Sequence, residues 1–311
     1  NDLHPTFTRF AVEPYTPTIG AVIHELDLRQ PLDDATLGAV RRAWLDHQVL
    51  AFVDQQLTLE DLERFALCIG PYGQDPYFES VPGHPHVAQV KREADETSTI
   101  FADNFHSDWS FLASPPAATL LYGDIIPPVG GDTLFANQYA AWDALSPAMQ
   151  ALLKDKQGVH SARRGYAKNG RYGEGDAGRS MAIRYDDSAL ATQTQPIARV
   201  HPETGRTALF VSPGYTIGID GMPAYRDGKV FFYFAGFRNP LGRLSSAERR
   251  CRADCGTGAL QEREGQSRFQ IQGAHPVRAH WQGCGGATQG IHPEALIRVA
   301  LRPTIRCGRR R

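Results

Sequence analysis

Through its middle the chain offers short apolar runs of strand length, several of them bounded by proline- or glycine-containing turns, rather than long helical periods. Residues 86–90 and 117–122 read as two such strands, and the turn Pro127-Pro128-Val129-Gly130-Gly131 leads into another. Residues 196–201 and 207–211 flank Pro202-Glu203-Thr204-Gly205-Arg206, which predicts a β-hairpin. Helices gather towards the flanks. Asp33 or Asp34 caps a helix over 35–46 with Leu37, Val40, Trp44 and Leu45 at helical spacing. Thr58 opens a second, with Leu59, Leu62, Phe65 and Ala66 on one face and Gly70-Pro71 as its end. Residues 137–144 and 146–153 read as two more, the latter with Ser146 as cap and Pro147 in the first turn. Residues 7–12, 21–28 and 49–53 complete the strands of the first part. No repeat or linker divides the chain, so one domain over 1–311 is expected, mainly β with flanking helices, as a β-sandwich or jelly roll.

Composition narrows the class of partner. A net charge of −1 gives no electrostatic case for nucleic acid or an anionic membrane, and no apolar run approaches the length of a membrane span. Five scattered cysteines without a Cys-x-x-Cys pair fit a reducing compartment, so a cytoplasmic location is expected.

One stretch carries chemistry. In Phe105-His106-Ser107-Asp108-Trp109-Ser110-Phe111 an imidazole and a carboxylate stand two residues apart. Read as a strand, it puts His106, Asp108 and Ser110 on one face and Phe105, Trp109 and Phe111 on the other. With one further histidine, the pair would make the 2-His-1-carboxylate set that holds non-haem Fe(II) and leaves positions open. A bare His-x-Asp also occurs by chance on polar strand faces, so its weight depends on what lies downstream. The polar, turn-rich segment before it, within 76–105, and the Gly-rich, charged segment within 163–180 are expected to be active-site loops, the second a mobile excursion.

Downstream come Pro115-Pro116-Ala117, Gly130-Gly131-Asp132-Thr133-Leu134-Phe135-Ala136 and His201-Pro202-Glu203-Thr204-Gly205-Arg206, then Ala208-Leu209-Phe210-Val211. Together with the His106 stretch, in this order and spacing, they resemble the Fe(II)/2-oxoglutarate-dependent dioxygenases of the taurine dioxygenase and 2,4-dichlorophenoxyacetate dioxygenase (TauD/TfdA) family, from about Phe7 to Met222. The resemblance implies a double-stranded β-helix (jelly roll), with Fe(II), 2-oxoglutarate as co-substrate, and O2. It implies His106 and Asp108 as the first two iron ligands. Thr133 would help bind the distal carboxylate of 2-oxoglutarate, and Tyr215 and Phe111 would lie against the substrate. Asp75 stands near where taurine-specific members place a histidine, which argues against taurine itself.

The C-terminal third matches less evenly. Arg298-Val299-Ala300-Leu301-Arg302 resembles the family's two-arginine strand, which implies Arg298 as the 2-oxoglutarate partner and Arg302 as the partner of a substrate anion. Guanidinium suits both, since it binds a carboxylate or sulfonate through two parallel hydrogen bonds. Trp281 has the family's spacing from Arg298 but is followed by Gln282-Gly283-Cys284, not Asp-Asn-Arg, and no histidine lies seven residues beyond it. The second histidine ligand is therefore His292, His280 or His275, with His292 nearest the expected place. Residues 251–297 are atypical, through divergence or a local reading-frame slip. The expected activity is hydroxylation of a small anionic substrate (a sulfonate, alkyl sulfate or aryloxyalkanoate) with release of succinate and CO2, by a homo-oligomer of two or four chains. A metallohydrolase of the cupin type and a metal-free binding module are the competing readings.

Overall fold

The computed structural model describes residues 10–126 and 133–222, and the backbone of five further strands between 242 and 303. In chain order the first part holds β1 (Ala11–Pro14), β2 (Ala21–His24), α1 (Asp34–His47), β3 (Val49–Gln55), α2 (Leu59–Ile69), β4 (Ser80–Val81), β5 (His84–Arg92) and β6 (Ala118–Ile125). The middle holds β7 (Thr133–Phe135), α3 (Gln138–Asp143), α4 (Pro147–Leu153), β8 (Gln157–His160), α5 (Arg163–Tyr166), β9 (Gln193–Pro196), β10 (Ala198–Val200), β11 (Thr207–Leu209) and β12 (Thr216–Ile219). The last part adds β13 (Gly242–Leu244), β14 (Gln266–Gln272), β15 (Ala279–Gln282), β16 (Thr288–Ile291) and β17 (Ile297–Pro303).

Eight strands form one mixed sheet in the order β1-β2-β3-β17-β6-β14-β5-β4. β2, β3, β17 and β6 are mutually parallel neighbours, and the flanking pairings are antiparallel. β12, β8 and β9 make a smaller antiparallel sheet, and β10 and β11 form the expected hairpin. Val49, Leu50, Ala51 and Phe52 of β3 are all buried, as an apolar run in a parallel strand covered on both faces should be. The mainly-β class with added helices is as expected from the sequence.

Local rules explain the helices on this sheet. The Asp33 side chain accepts from the Thr36 amide at 2.9 Å and caps α1. Thr58 and Asp61 cap α2 reciprocally, each side chain bonded to the other's amide. Leu37, Val40, Ala43 and Trp44 of α1 are buried, and Val40, Ala43 and Trp44 pack with Leu62 and Phe65 of α2 and Leu50 and Phe52 of β3 in one core. The Phe52 and Phe65 rings meet edge to face at 5.5 Å. A second core is aromatic, with Tyr77, Phe78, Trp109, Tyr166, Tyr172 and Tyr215 buried together. Among the described residues no helix is long and apolar enough to cross a membrane.

One local expectation is corrected. The stretch around His106 is not a strand: residues 105–107 are irregular and 108–111 form a turn, with Trp109 at φ 45°. The bonds Ser110 N–Ser107 O and Leu112 N–Trp109 O close that turn. Within this turn Trp109 is buried in the aromatic core. Residues 168–179 are wound into successive turns by Gly170 N–Ala167 O, Tyr172 N–Gly165 O and Glu174 N–Lys168 O. They are also fastened to the loop before His106. Arg171 pairs with Asp103, Arg179 reaches the Thr99 carbonyl, and Ser180 binds the Glu96 carboxylate. The two expected loops thus form one unit.

The reciprocal cap makes Thr58→Ala a local test. It should destabilise the protein by about 1 kcal/mol, read as a lower urea midpoint with unchanged slope; an unmoved midpoint would show that the cap contributes nothing.

Candidate metal centre

Four contacts set the loop that carries His106 and Asp108. Thr119, in the buried part of β6, donates its hydroxyl to Asp108 Oδ2 at 2.6 Å. Gln138, first residue of α3, donates to the Ser107 hydroxyl at 3.0 Å. His160 of β8 bonds the Ser110 hydroxyl through Nδ1 at 2.9 Å. Gly214 donates its amide to the Phe105 carbonyl at 3.2 Å. Only glycine fits there, because a Cβ would stand 2.8 Å from His106 Cβ.

The geometry of the pair follows. His106 Nδ1 lies 2.8 Å from the Asn104 carbonyl oxygen, an acceptor, so the ring proton sits on Nδ1 and Nε2 presents a lone pair. Nε2 faces Asp108 Oδ1 at 3.0 Å. Two lone pairs that close repel unless a cation lies between them, and the candidates are a proton or a metal ion. Adjacent positions on one metal ion, with bonds of about 2 Å at right angles, put neighbouring donors about 3 Å apart. Thr119 engages Oδ2, and it is Oδ1 that is turned to His106. Imidazole and carboxylate suit a divalent first-row metal, so the donor set fits Fe(II).

The surroundings are aromatic. The Tyr215 ring stands edge-on to His106 at 5.7 Å, and Phe111 packs on Tyr215 at 4.9 Å. Tyr77 stacks on Tyr166 at 4.3 Å, and Trp109 is enclosed by Tyr77, Phe78 and Tyr166. Asp75 lies at the edge of this group, with Oδ1 accepting from the Tyr77 and Phe78 amides. Burial raises its carboxyl to about 6, with Asp108 adding to the rise and the two amides and Arg184 opposing it.

Other expected residues fall around this point or outside the described residues. Thr133 is the half-buried first residue of β7. Arg298 lies in β17 at the register position opposite Thr119 of β6 and Val49 of β3, which brings its backbone beside the residue that holds Asp108. Arg302 follows in the same strand, at a register irregularity. His280 lies in β15 opposite Gly290 of β16. His292 and His275 lie outside the described residues, and among the described residues no three metal-binding side chains gather. Sequence reading missed Thr119, Gln138, His160 and Gly214. Only Gly214 had a signal, its place within Ser212-Pro213-Gly214-Tyr215.

Comparison with known proteins follows the same line. The family model described as taurine catabolism dioxygenase TauD, TfdA family, matches residues 11–237. An (S)-phenoxypropionate/alpha-ketoglutarate-dioxygenase of Delftia acidovorans is 31% identical over 225 residues, which are 70% of this chain and 75% of that protein. A Schizosaccharomyces pombe protein assigned to the alpha-ketoglutarate-dependent sulfonate dioxygenases is 30% identical over 71% of this chain, which spans only 56% of its length. An alpha-ketoglutarate-dependent sulfate ester dioxygenase of Pseudomonas putida is 30% identical, with 64% of each chain covered. The crystal structure of a taurine dioxygenase from Burkholderia xenovorans superposes with a TM-score of 0.64 at 23% identity, over 91% of this chain and 97% of that one.

The Asp75 carboxyl makes a testable contribution to stability. Its folded value of about 6 lies above the unfolded 3.8, so the folded state binds the proton more tightly. The sign is therefore a stability fully present below about pH 4 and lost as pH rises towards 6. Asp75→Asn keeps an oxygen for the two amides and removes the titration. In metal-free protein the variant should gain on the wild type between pH 4 and pH 7 in urea unfolding; a constant difference would contradict the assignment.

Proposed function

Because the chain belongs to the TauD/TfdA family of dioxygenases, we propose that it is an Fe(II)- and 2-oxoglutarate-dependent oxygenase that hydroxylates an unactivated C–H of a small anionic substrate. Sulfonates, alkyl sulfates and aryloxyalkanoates are the substrate classes, in keeping with the relatives named above. The single observation that carries the reading is the 3.0 Å approach of His106 Nε2 to Asp108 Oδ1, with Thr119 holding the other carboxylate oxygen away. The mixed sheet and the smaller β12-β8-β9 sheet would be the two faces of a jelly roll.

His106 and Asp108 would hold the iron, with His292 as the third ligand. Fe(II) with 2-oxoglutarate and O2 supplies the oxidation, with succinate and CO2 as co-products. The protein's part is position and exclusion of water. Thr119 sets which carboxylate oxygen faces His106, and the Asn104 carbonyl sets the imidazole tautomer. Arg298 and Thr133 would bind the far carboxylate of 2-oxoglutarate, and Arg302 an anionic group of the substrate. Tyr215 and Phe111 would wall the apolar body of the substrate and keep water from the reacting carbon. A hydroxylated carbon that bears a sulfonate, sulfate ester or aryl ether expels that group and leaves a carbonyl.

Anaerobic addition of Fe(II) and then 2-oxoglutarate should produce the visible charge-transfer band of the chelate, and a panel of the three substrate classes should stimulate succinate release in air. Folded protein that gives neither band nor succinate would sink the proposal. The two arginines should divide their labour. Arg298→Ala should raise the KM for 2-oxoglutarate about tenfold or more, since a charge-assisted hydrogen bond contributes about 1.5–3 kcal/mol, with less effect on the substrate. Arg302→Ala should do the reverse, and equal effects of both variants on both ligands would refute the division.

A further inference from the structure

We propose that His160 is a positioning residue for the metal-binding pair, acting through its hydrogen bond to Ser110. This rests on the reading of His106 and Asp108 as metal ligands.

Ser110 lies two residues beyond Asp108, and between them Trp109 sits at φ 45°, a left-handed conformation that strains an aromatic residue by about 1–2 kcal/mol. Such strain persists only where the surroundings hold it. Asp108 is held on one side by Thr119, and the turn is held on the other by His160, whose Nδ1 is 2.9 Å from Ser110 Oγ. Ser110 is 0% and His160 1% exposed, so water does not compete for this bond. Gln195 secures the far end of the turn by donating to the Leu112 carbonyl at 2.9 Å.

The ring itself is placed with care. It stacks on Phe210 at 5.7 Å with planes 21° apart. Gly158, on the same strand, makes room for it: a Cβ there would stand 3.0 Å from His160 Nε2. Nε2 is buried and finds no hydrogen-bond partner among the described residues. Burial, with Arg199 nearby, drives the imidazole down to about 4, so the ring is neutral at physiological pH and carries one proton. A proton on Nε2 would be a buried, unpaired N–H, the rarer and costlier kind of orphan. The proton therefore sits on Nδ1 and donates to Ser110 Oγ. A packing residue needs no such bond, and phenylalanine would fill the place beside Phe210 without leaving an orphan nitrogen. The histidine is explained by what it does to Ser110: it keeps the turn closed so that Asp108 Oδ1 meets His106 Nε2.

The test is Mn(II) binding to the full-length metal-free chain, followed by electron paramagnetic resonance, beside thermal melting of the same samples. His160→Phe and Ser110→Ala should each weaken Mn(II) binding about tenfold or more, as loss of a ligand-orienting partner does. His160→Asn, whose amide nitrogen takes the place of Nδ1, should restore binding to within about threefold of wild type. The double variant Ser110→Ala/His160→Phe should bind no worse than the weaker single variant, because both remove one bond. Wild-type Mn(II) affinity in Ser110→Ala and His160→Phe, with lowered melting temperatures alone, would overturn the proposal and leave His160 a packing residue. If His160→Phe does not fold, Ser110→Ala decides the matter by the same readout. If the wild type itself binds no Mn(II), the metal reading falls and this inference with it.

Discussion

A carboxylate has two oxygens to turn towards a partner, and the hydrogen bond from Thr119 settles how those of Asp108 are turned. With Oδ2 engaged at 2.6 Å by a buried hydroxyl, Oδ1 alone is left to face His106. Thr119 does not move to suit the loop, because β6 is hydrogen-bonded to β17 on one side and β14 on the other. The loop conforms to the sheet. It leaves extended geometry, turns at Trp109 in a strained conformation, and buries that indole with no partner for its N–H among the described residues. A loop free to relax would shed both costs. That it does not places the strain where the chemistry is proposed.

The same reasoning separates what could be read from the chain and what could not. The caps at Asp33, Thr58 and Ser146 and the hairpin around Thr204-Gly205 were legible, since each depends on residues within a few positions of one another. His106 and Asp108 were legible as a pair for the same reason, although the strand inferred for them was wrong. Spacing of two predicts a shared face only if the backbone is extended, and here tertiary bonds from Thr119, Gln138 and His160 override local preference. Those partners are 11, 31 and 50 residues away from the residues that they hold. Nothing local marks a threonine in an apolar strand as the holder of a carboxylate. The two-arginine segment was legible as a strand, and β17 lies where its register puts Arg298 opposite Thr119.

Electrostatics ties the aromatic core to the pair. Asp75 and Asp108 sense one another inside a region lined by Tyr77, Trp109 and Tyr166, where the dielectric is low and like charges are costly. Any cation held by His106 and Asp108 would relieve that repulsion and draw the Asp75 carboxyl back towards its ordinary value. Metal binding and proton release at Asp75 are then linked, in the way that charge at one site biases ionisation at another. A carboxyl at position 75 therefore shapes the electrostatic field around the pair.

The place of β17 has a consequence for how the molecule comes into being. It lies between β3 and β6, parallel to both, yet it is made after every other described strand. On the ribosome the first half of the chain can assemble its helices and outer hairpins while the centre of the sheet stays open. Until β17 arrives, β3 and β6 present bare backbone edges, which invite pairing with other chains. Pairing across so long a stretch of sequence is also slow, because loop-closure entropy is lost before any contact compensates for it. The strand register that brings Arg298 beside Thr119 therefore joins parts of the chain about 180 residues apart, and it cannot form before β17 has been made.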